Sequence, residues 1–321
     1  MTKNIFLVSP RGFCAGVRRA IATVEKCLKQ YAKNSIYVYH DIVHNTHVVN
    51  DFKNRGVKFV EDINLIPKNS VVIFSAHGVE KRVEKEAKQR HLKVVDATCP
   101  LVTKIHRKAE KFTEENCAII LIGHRNHVEV IGTLGQLSEA QQKNVFIIES
   151  VTDAKNFDQK KLEKCTKIQC LSQTTFSVDQ INQILEILQD KIPSLRTNND
   201  ICYATTNRQE AVKYLAKKCE LVLVVGSKHS SNSQRLKELA TEYGAQSLLI
   251  DDFKLLQKDY TNILQNLESY ENIGITAGAS APEFLVNDLV DNLRKILNDS
   301  VNVQQLECDG ERPDFTLPSG L

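Results

Sequence analysis

Three cysteines carry the strongest chemical signal in the sequence. Cys14, Cys99 and Cys202 each follow a short apolar segment and precede a pattern of helical period. They are separated by 85 and 103 residues, each about the length of one small α/β domain. The partial positive charge of a helix N-terminus favours the thiolate form of cysteine, which is the form that binds metal. Three thiolates suit an iron–sulfur cluster with one iron left unligated by protein, because four cysteines are the usual complement.

A zinc site is the alternative, with His77 or His127 joining the three cysteines as the fourth ligand. The other cysteines are interpreted as small apolar side chains, which are often buried for packing alone. They lie on apolar helix faces or in strands: Cys27, Cys117, Cys165, Cys170 and Cys219. Cys308 stays unassigned.

Many of the expected strands are followed by hydrogen-bond donors that are either neutral or, in the case of histidine, able to change charge by protonation. In open parallel sheets, ligands bind outside the carboxyl ends of the strands, where helix N-termini present unpaired N–H groups. Such donors would hold a phosphate or diphosphate without a Walker-type glycine loop, which this sequence lacks. Each residue taken singly is more typical of a helix cap or a structural role. Their recurrence favours a site made of His44, His77, His127, Thr174, Ser230, Ser231, Asn232 and Ser280.

The segment GHRNHVEV contains one carboxylate, Glu129, two residues after His127. In an apolar cavity, desolvation would raise the pKa of Glu129 and allow it to hold a proton for transfer. The alternative is a surface glutamate that complements a helix dipole. Five further histidines are interpreted as structural or exposed: His40, His47, His91, His106 and His124.

The elements that must position these residues recur three times along the chain. After each of the three cysteines comes a helical pattern, then a strand that ends at His40, His124 or Ser227. A third strand in each repeat finishes on acidic or polar residues, and a fourth leads into a polar turn, SAHG, SQTT or AGAS. Strands that alternate with helices indicate right-handed crossovers and parallel sheets.

We therefore predict an α/β protein with three similar units and mostly parallel sheets. The units comprise residues 14–98, residues 99–198, and residues 1–13 together with 199–291, followed by a C-terminal tail at 292–321. If the units face one another around a pseudo-threefold axis, the three cysteine turns meet in a central cavity. The alternative is one large doubly wound domain. Capping-box spacing predicts helix starts at Ser177, Thr206, Ser231 and Ser280.

Composition narrows the possible partners. The 42 Lys and Arg residues nearly balance 39 Asp and Glu residues, so no overall basic field favours nucleic acid or a membrane surface. The apolar runs are shorter than the roughly 18 residues that a spanning helix needs. Nine cysteines without an evident export signal predict a reducing compartment, which for this chain is the cytoplasm.

At the level of motifs, the sequence closely resembles the 4-hydroxy-3-methylbut-2-enyl diphosphate reductase family, also called LytB. The resemblance runs along nearly the whole chain and fades after about Asn292. Val128 and His229 depart from the residues usual in that family. The motifs are PRGFCAGV (10–17), IVHN (42–45), FSAHGV (74–79), DATCPLV (96–102), SQTT (172–175), ICYATTNRQEAV (201–212), GSKHSSNS (226–233) and TAGASAP (276–282).

The resemblance implies a trefoil of three α/β units around a four-iron four-sulfur cluster held by Cys14, Cys99 and Cys202, with one open iron. It implies that Glu129 delivers a proton, and that the eight neutral donors named above bind the hydroxyl and diphosphate groups of the substrate. The implied reaction is a two-electron reductive dehydroxylation that yields isopentenyl and dimethylallyl diphosphates, the last step of the non-mevalonate (methylerythritol phosphate) pathway of isoprenoid biosynthesis. We expect flavodoxin or ferredoxin as the electron donor, and a monomer.

Two other functions are compatible with a site of three cysteines. One is a redox-neutral dehydratase that resembles quinolinate synthase, which would bind carboxylates and turn over without a reductant. The other is a non-catalytic iron or redox sensor, or a zinc-stabilised protein that binds an anion.

Overall fold

The computed structural model describes residues 3–32, 35–163, 165–198, 200–298, 301–308, 310–311, 314–319 and 321. Helices and strands alternate through these residues. Up to residue 114 the order is β1 (Lys3–Ser9), α1 (Ala15–Gln30), β2 (Ile36–Tyr39), α2 (Thr46–Asn54), β3 (Lys58–Val60), β4 (Val71–Phe74), α3 (Lys81–Gln89), β5 (Lys93–Asp96) and α4 (Pro100–Glu114).

The middle of the chain repeats this alternation with β6 (Ala118–Ile122), α5 (Val128–Leu134), α6 (Glu139–Gln142), β7 (Val145–Ile148), α7 (Val151–Asn156), β8 (Ile168–Ser172), α8 (Val178–Lys191) and β9 (Leu195–Arg196). The remainder contains α9 (Tyr203–Ala216), β10 (Leu221–Val225), α10 (Ser231–Glu242), β11 (Gln246–Ile250), α11 (Phe253–Asp259), α12 (Thr261–Gln265), β12 (Asn272–Ala277), α13 (Glu283–Ile296) and β13 (Val301–Glu307).

The strands of the described residues form three parallel sheets with closely related orders. The orders are β3-β2-β4-β5, β7-β6-β8-β9 and β11-β10-β12-β1-β13. The strand before each of the three cysteines, β5, β9 or β1, holds the same place in its sheet, beside the strand that leads into the polar turn. The prediction of three α/β units with parallel sheets is confirmed.

By compactness, the chain divides into two units. The first, which we call the N/C unit, comprises Met1–Arg18, His44–Asn50 and Tyr203–Asp314, and contains the five-stranded sheet. The second, which we call the middle unit, comprises Arg19–Val43, Asp51–Cys202 and Phe315–Leu321, and contains both four-stranded sheets. The residue boundaries of the three repeats, and their arrangement around a cluster, stay predictions.

The sheets are buried on both faces, as is typical of parallel sheets covered by helices. In the N/C unit, Leu221 and Leu223 face one apolar cluster, whereas Val222 and Val224 face another on the opposite side of β10. Strand β6 in the middle unit alternates in the same way. Rigid sheets of this kind fix the turns at their carboxyl ends.

The helix starts were predicted with mixed success. Ser177 caps α8 by accepting a hydrogen bond from the N–H of Gln180, as predicted. Ser230, rather than Ser231, caps α10. Helix α10 therefore begins at Ser231, as predicted, although its cap lies one residue earlier. Thr206 lies inside α9, and Ser280 lies before the cap position of α13. Capping-box spacing alone was wrong at Thr206 and Ser280, because the start of each helix depends on where the preceding strand and turn end.

Strand β13 was not anticipated. The segment predicted as a polar tail contains a seven-residue strand that pairs in parallel with β1, from Lys3 opposite Val301 to Ser9 opposite Glu307. Its sequence, VNVQQLE, is only half apolar, and most of its side chains are exposed or half-buried. An edge strand of this kind gives no strong periodic signal in the sequence.

Candidate functional site

The site residues of the N/C unit meet at the turn that follows β12. Asn232, in the first turn of α10, accepts a hydrogen bond at Oδ1 from the N–H of Ala279 over 2.9 Å. The carbonyl of Ala279 accepts a hydrogen bond from the N–H of Cys14 over 3.0 Å. The next residue, Ser280, donates its hydroxyl proton to the carbonyl of His44 over 2.9 Å. Four predicted site residues are therefore linked through one turn.

The start of α10 contributes the remaining predicted donors of this unit. Ser230 caps the helix, with its Oγ 3.3 Å from the N–H of Ser233, and Ser231 is the first helical residue. Asn232 is buried, and its Nδ2 has no hydrogen-bond partner within the described part of the chain. A buried amide donor without a partner is costly, so this one is suited to an acceptor supplied by a ligand.

In the middle unit, Thr174 connects the predicted acid to one of the cysteines. Glu129 lies in the first turn of α5 and is buried, so the alternative of a surface glutamate is wrong. Its carboxyl group accepts hydrogen bonds from the N–H of Thr174 at 2.6 Å and from the hydroxyl of Thr174 at 2.8 Å. The carbonyl of Thr174 accepts a hydrogen bond from the N–H of Cys202 over 3.1 Å.

Burial raises the pKa of Glu129 to about 7, and the two hydrogen bonds from Thr174 oppose that rise. Desolvation therefore outweighs hydrogen bonding at this carboxyl group. A group with this pKa is close to half-protonated at neutral pH, which suits a residue that stores and releases a proton.

Two predicted histidines of the middle unit lie close to each other, and one of them contacts the start of α5. The rings of His77 and His127 are edge to face, with centroids 6.5 Å apart. His127 caps α5, because its Nδ1 accepts a hydrogen bond from the N–H of Glu129 over 3.2 Å. An imidazole that accepts at Nδ1 carries its proton on Nε2, so His127 presents an N–H donor. Cys99 is joined to this region through the carbonyl of Ala76, which accepts from its N–H over 3.0 Å.

The three candidate ligand cysteines share one local position. Each directly precedes a helix: Cys14 precedes α1, Cys99 precedes α4, and Cys202 precedes α9. All three are half-buried. Pro100 occupies the first position of α4. Three half-buried cysteines, each directly before a helix, form a donor set that fits ligation of an iron–sulfur cluster.

Four of the other cysteines are buried rather than half-buried. Burial raises the pKa of Cys27 to about 11, and raises those of Cys170 and Cys219 to about 12, so these side chains remain neutral thiols. Burial also raises the pKa of Cys117. The interpretation of these four as packing residues agrees with their burial, although Cys117 and Cys219 lie just before strands rather than in them.

Within the described residues, no group of three or more His, Cys, Asp or Glu side chains could hold a single metal ion. An iron–sulfur cluster differs from such a site, because each thiolate binds a different iron and the sulfur atoms do not converge on one point. The described residues also contain no helix that is both long enough and apolar enough to cross a membrane.

The five histidines that were set aside have other partners, are buried, or are exposed. His40 contacts the carboxylate of Glu61, and His47 lies 3.2 Å from that of Asp252. Burial lowers the pKa of His106 to about 4, which keeps its ring neutral inside the middle unit. His91 and His124 are exposed.

Arg208 was missed by the sequence analysis. Its side chain is fully buried on α9, and it donates a hydrogen bond to the carbonyl of Gly12, two residues before Cys14. Its spacing to Val212 and Leu215 places it on the apolar face of the helix, which is the signal that could have identified it.

Comparison with known proteins identifies the family of the chain. The model of the family described as "LytB protein" matches residues 5–294. The chain is 49% identical to the 4-hydroxy-3-methylbut-2-enyl diphosphate reductase of Haemophilus ducreyi over 320 residues, covering 99% of this chain and 98% of that protein. It is 47% identical to the reductase of the same name from Actinobacillus pleuropneumoniae serotype 3, with the same coverage.

A solved structure extends the likeness to the fold. The E-1-hydroxy-2-methyl-but-2-enyl-4-diphosphate reductase from Plasmodium falciparum is 37% identical, with a TM-score of 0.91 over 99% of this chain and 96% of that one. These relatives are reductases, and the predicted enzyme class, an oxidoreductase, is confirmed. With matched motifs, a matched fold and relatives aligned from end to end, the chain belongs to the LytB protein family.

Proposed function

We propose that this chain reduces (E)-4-hydroxy-3-methylbut-2-enyl diphosphate to isopentenyl and dimethylallyl diphosphates, the last step of the non-mevalonate isoprenoid pathway. Family membership supports the substrate class. The observation that carries the chemistry is Glu129, a fully enclosed carboxyl group with a pKa of about 7 and two hydrogen bonds that fix its orientation. Loss of a hydroxyl group as water needs a proton, and Glu129 is suited to supply it.

The cofactor we propose is a four-iron four-sulfur cluster held by Cys14, Cys99 and Cys202. When bound, it supplies two electrons one at a time, together with an iron that the protein leaves open to the substrate. The three cysteines support this assignment by their equivalent positions at the starts of α1, α4 and α9. Their half-buried side chains contrast with the four buried cysteines.

The reaction consumes two electrons and two protons for each hydroxyl group lost. One proton leaves in water with the hydroxyl oxygen, and the other is added to carbon. Thr174 holds the carboxyl group of Glu129 through both its N–H and its hydroxyl, so the orientation of the acid is fixed. The enclosed position of Glu129 also limits exchange of its proton with bulk water.

We assign binding of the substrate's hydroxyl and diphosphate groups to the neutral donors of the two units. The middle unit contributes His77, His127 and Thr174. The start of α10 presents N–H groups and a positive dipole end, which favour an anion. The buried Nδ2 of Asn232 adds a donor. The donors of the N/C unit are His44, Ser230, Ser231, Asn232 and Ser280.

The proposal is tested by anaerobic purification, iron and sulfide analysis, and addition of the hydroxylated diphosphate with a low-potential reductant. We expect both metal analyses to be positive, and both five-carbon diphosphates to form only with the reductant. An intact cluster without these products would favour the dehydratase or the sensor. Stoichiometric zinc without sulfide would overturn the metal assignment.

The electron donor, the oligomeric state and the cellular location are further parts of this proposal. We infer flavodoxin or ferredoxin as the donor, a monomeric enzyme, and a cytoplasmic location. Replacing the chemical reductant in the same assay with reduced flavodoxin or reduced ferredoxin tests the first of these.

A further inference from the structure

The loop that leads to Cys14 is held by backbone hydrogen bonds on one side. The N–H of Gly12 donates to the carbonyl of Ala277 over 3.2 Å, and the N–H of Cys14 donates to that of Ala279. Gly12 has a φ of +67°, and a β-carbon there would lie 3.2 Å from the carbonyl oxygen of Ala281. The loop therefore requires glycine at this position and is closely packed against the turn after β12.

The carbonyl of Gly12 is held from the other side by a buried charge. Arg208 Nη2 donates to this carbonyl over 2.8 Å, and Nη1 donates to the carbonyl of Ala204 over 3.0 Å. The side chain of Arg208 is 0% exposed. A guanidinium in such a place needs a carboxylate nearby, because an unpaired buried charge is strongly destabilising.

Glu311 supplies that carboxylate from beyond β13. Its Oε1 contacts Nη1 of Arg208, and its own side chain is 19% exposed. We call residues 308–314 the C-terminal segment, of which 308, 310, 311 and 314 are described. No sequence motif indicates that this segment lies near the loop that leads to Cys14.

Further contacts tie the C-terminal segment to the same loop and to α9. The N–H of Cys308 donates to the carbonyl of Ser9 over 3.0 Å. The carbonyl of Gly310 accepts from Asn207 Nδ2 over 2.9 Å. Asp314 Oδ1 lies 2.6 Å from Nε of Arg18, whose Nη1 donates to the carbonyl of Phe13. The described residues of the segment thus contact Ser9 in the loop, Asn207 on α9, and Arg18, which in turn holds the carbonyl of Phe13.

We propose that Arg208 and Glu311 form a positioning pair, through which the C-terminal segment holds the Cys14 loop in the conformation that binds the cluster. The inference rests on the proposed role of Cys14 as a ligand. The planar fork of Arg208 reaches Gly12 and Glu311 with two different nitrogens, which a lysine could not do. Neither residue of the pair touches the substrate in this proposal.

The test uses Glu311→Gln in the anaerobically purified holoprotein. Glu307→Gln is the matched control, since it removes an exposed carboxylate at the end of β13 in the same part of the chain. We expect Glu311→Gln to release iron to a ferrous chelator about tenfold faster than the unaltered protein, the lower end of effects for groups that support metal ligands. Glu307→Gln should release iron at the unaltered rate.

A second readout separates positioning from a general loss of stability. After removal of the iron, the full chain is treated with a maleimide, and modification of each cysteine is followed by peptide mass mapping. In Glu311→Gln we expect Cys14 to react about tenfold faster, in proportion to the loosened loop. Cys99 and Cys202 should react at their unaltered rates.

Equal acceleration at all three cysteines would mean a global structural effect and would overturn the proposal. Unaltered iron release and unaltered Cys14 reactivity would overturn it as well. The maleimide readout needs neither cluster nor substrate. A protein without reductase activity, but with selective exposure of Cys14, would therefore refute the proposed function and leave the positioning pair in place.

Discussion

The loops that lead to Cys14 and to Cys202 occupy equivalent places, each after the strand that pairs with the one leading into the polar turn, yet opposite charges hold them. The Cys14 loop receives a buried cation, Arg208, from a neighbouring helix. The Cys202 loop itself contains a buried anion, Asp200, whose side chain is 0% exposed and pairs with Lys108 of α4. The backbone position is the same, whereas the side chains that secure it are unrelated.

This difference shows what the repeats have in common. A parallel strand, a tight turn and a helix place a cysteine at the helix start through backbone geometry alone. The surrounding side chains only have to pair with the polar groups of each loop, so they can differ from one repeat to the next. The loop that leads to Cys99 is held by one of its own side chains. Asp96 Oδ1 accepts a hydrogen bond from the N–H of Thr98, just before Cys99.

The loops also differ in what they connect to. The Cys202 loop reaches the acid Glu129 through one residue, Thr174. The Cys14 loop reaches Asn232 and the turn before Ser280. The first connection belongs to proton delivery and the second to binding of the diphosphate, according to the proposed function.

The largest effects should come from the cysteines themselves. Cys14→Ser and Cys202→Ser should each lower turnover at least about 100-fold, because loss of a ligand exceeds the usual loss for a supporting group. Cys165→Ser, at a half-buried cysteine that does not precede a helix, should retain iron and activity. Full activity in either ligand variant would contradict the prediction that the two loops have equivalent roles.

The next largest effect concerns Glu129, the acid to which the Cys202 loop is linked. Glu129→Gln should keep the iron content and the cluster absorbance, and lower turnover about 100-fold or more, as expected for loss of a general acid. Glu139→Gln, an exposed glutamate on α6, is the control. Unchanged turnover in Glu129→Gln would remove this residue from its proposed role.

The dependence of turnover on pH in the unaltered protein tests the same role of Glu129. Glu129 must carry a proton to donate it, and its pKa is about 7. Turnover should therefore be level below this pH and fall as the pH rises above it. Glu129→Gln should lack this fall, since the amide does not titrate.

A smaller effect concerns stability at the Cys202 loop. Asp200→Asn should lower the free energy of unfolding by about 2 kcal/mol, because it replaces a buried hydrogen bond between charged groups by a weaker one. Urea unfolding of the metal-free protein measures this change. Lys111 is an exposed lysine on α4, the helix that carries Lys108. Lys111→Met should change the free energy of unfolding by less than about 0.5 kcal/mol. Equal losses in the two variants would show that the buried pair stabilises the fold no more than an exposed lysine does.

The smallest effect should occur at the outer end of the C-terminal segment. The side chains of Arg18 and Asp314 are 37% and 62% exposed, so solvent screens their ion pair. Asp314→Asn should lower the free energy of unfolding by less than about 1 kcal/mol. A loss as large as that of Asp200→Asn would contradict the distinction between buried and exposed pairs.

Much of the fold was predictable because strand and helix periods are local properties. The helices after Cys14 and Cys99 begin where the pattern predicts, and Ser177 caps its helix. The strand order was not predictable in detail, and neither was β13, since its half-apolar sequence does not show that it pairs with β1.

The sequence by itself determined the three repeats, the cysteine at each helix start and the family to which the chain belongs. These follow from local periodicity and from motifs that stand in unbroken runs of sequence. Only the tertiary structure decided that Glu129 is enclosed and holds a raised pKa, and that Arg208 and Glu311 meet at Gly12. Burial and charge pairing depend on which distant segments pack together, and no local pattern records that.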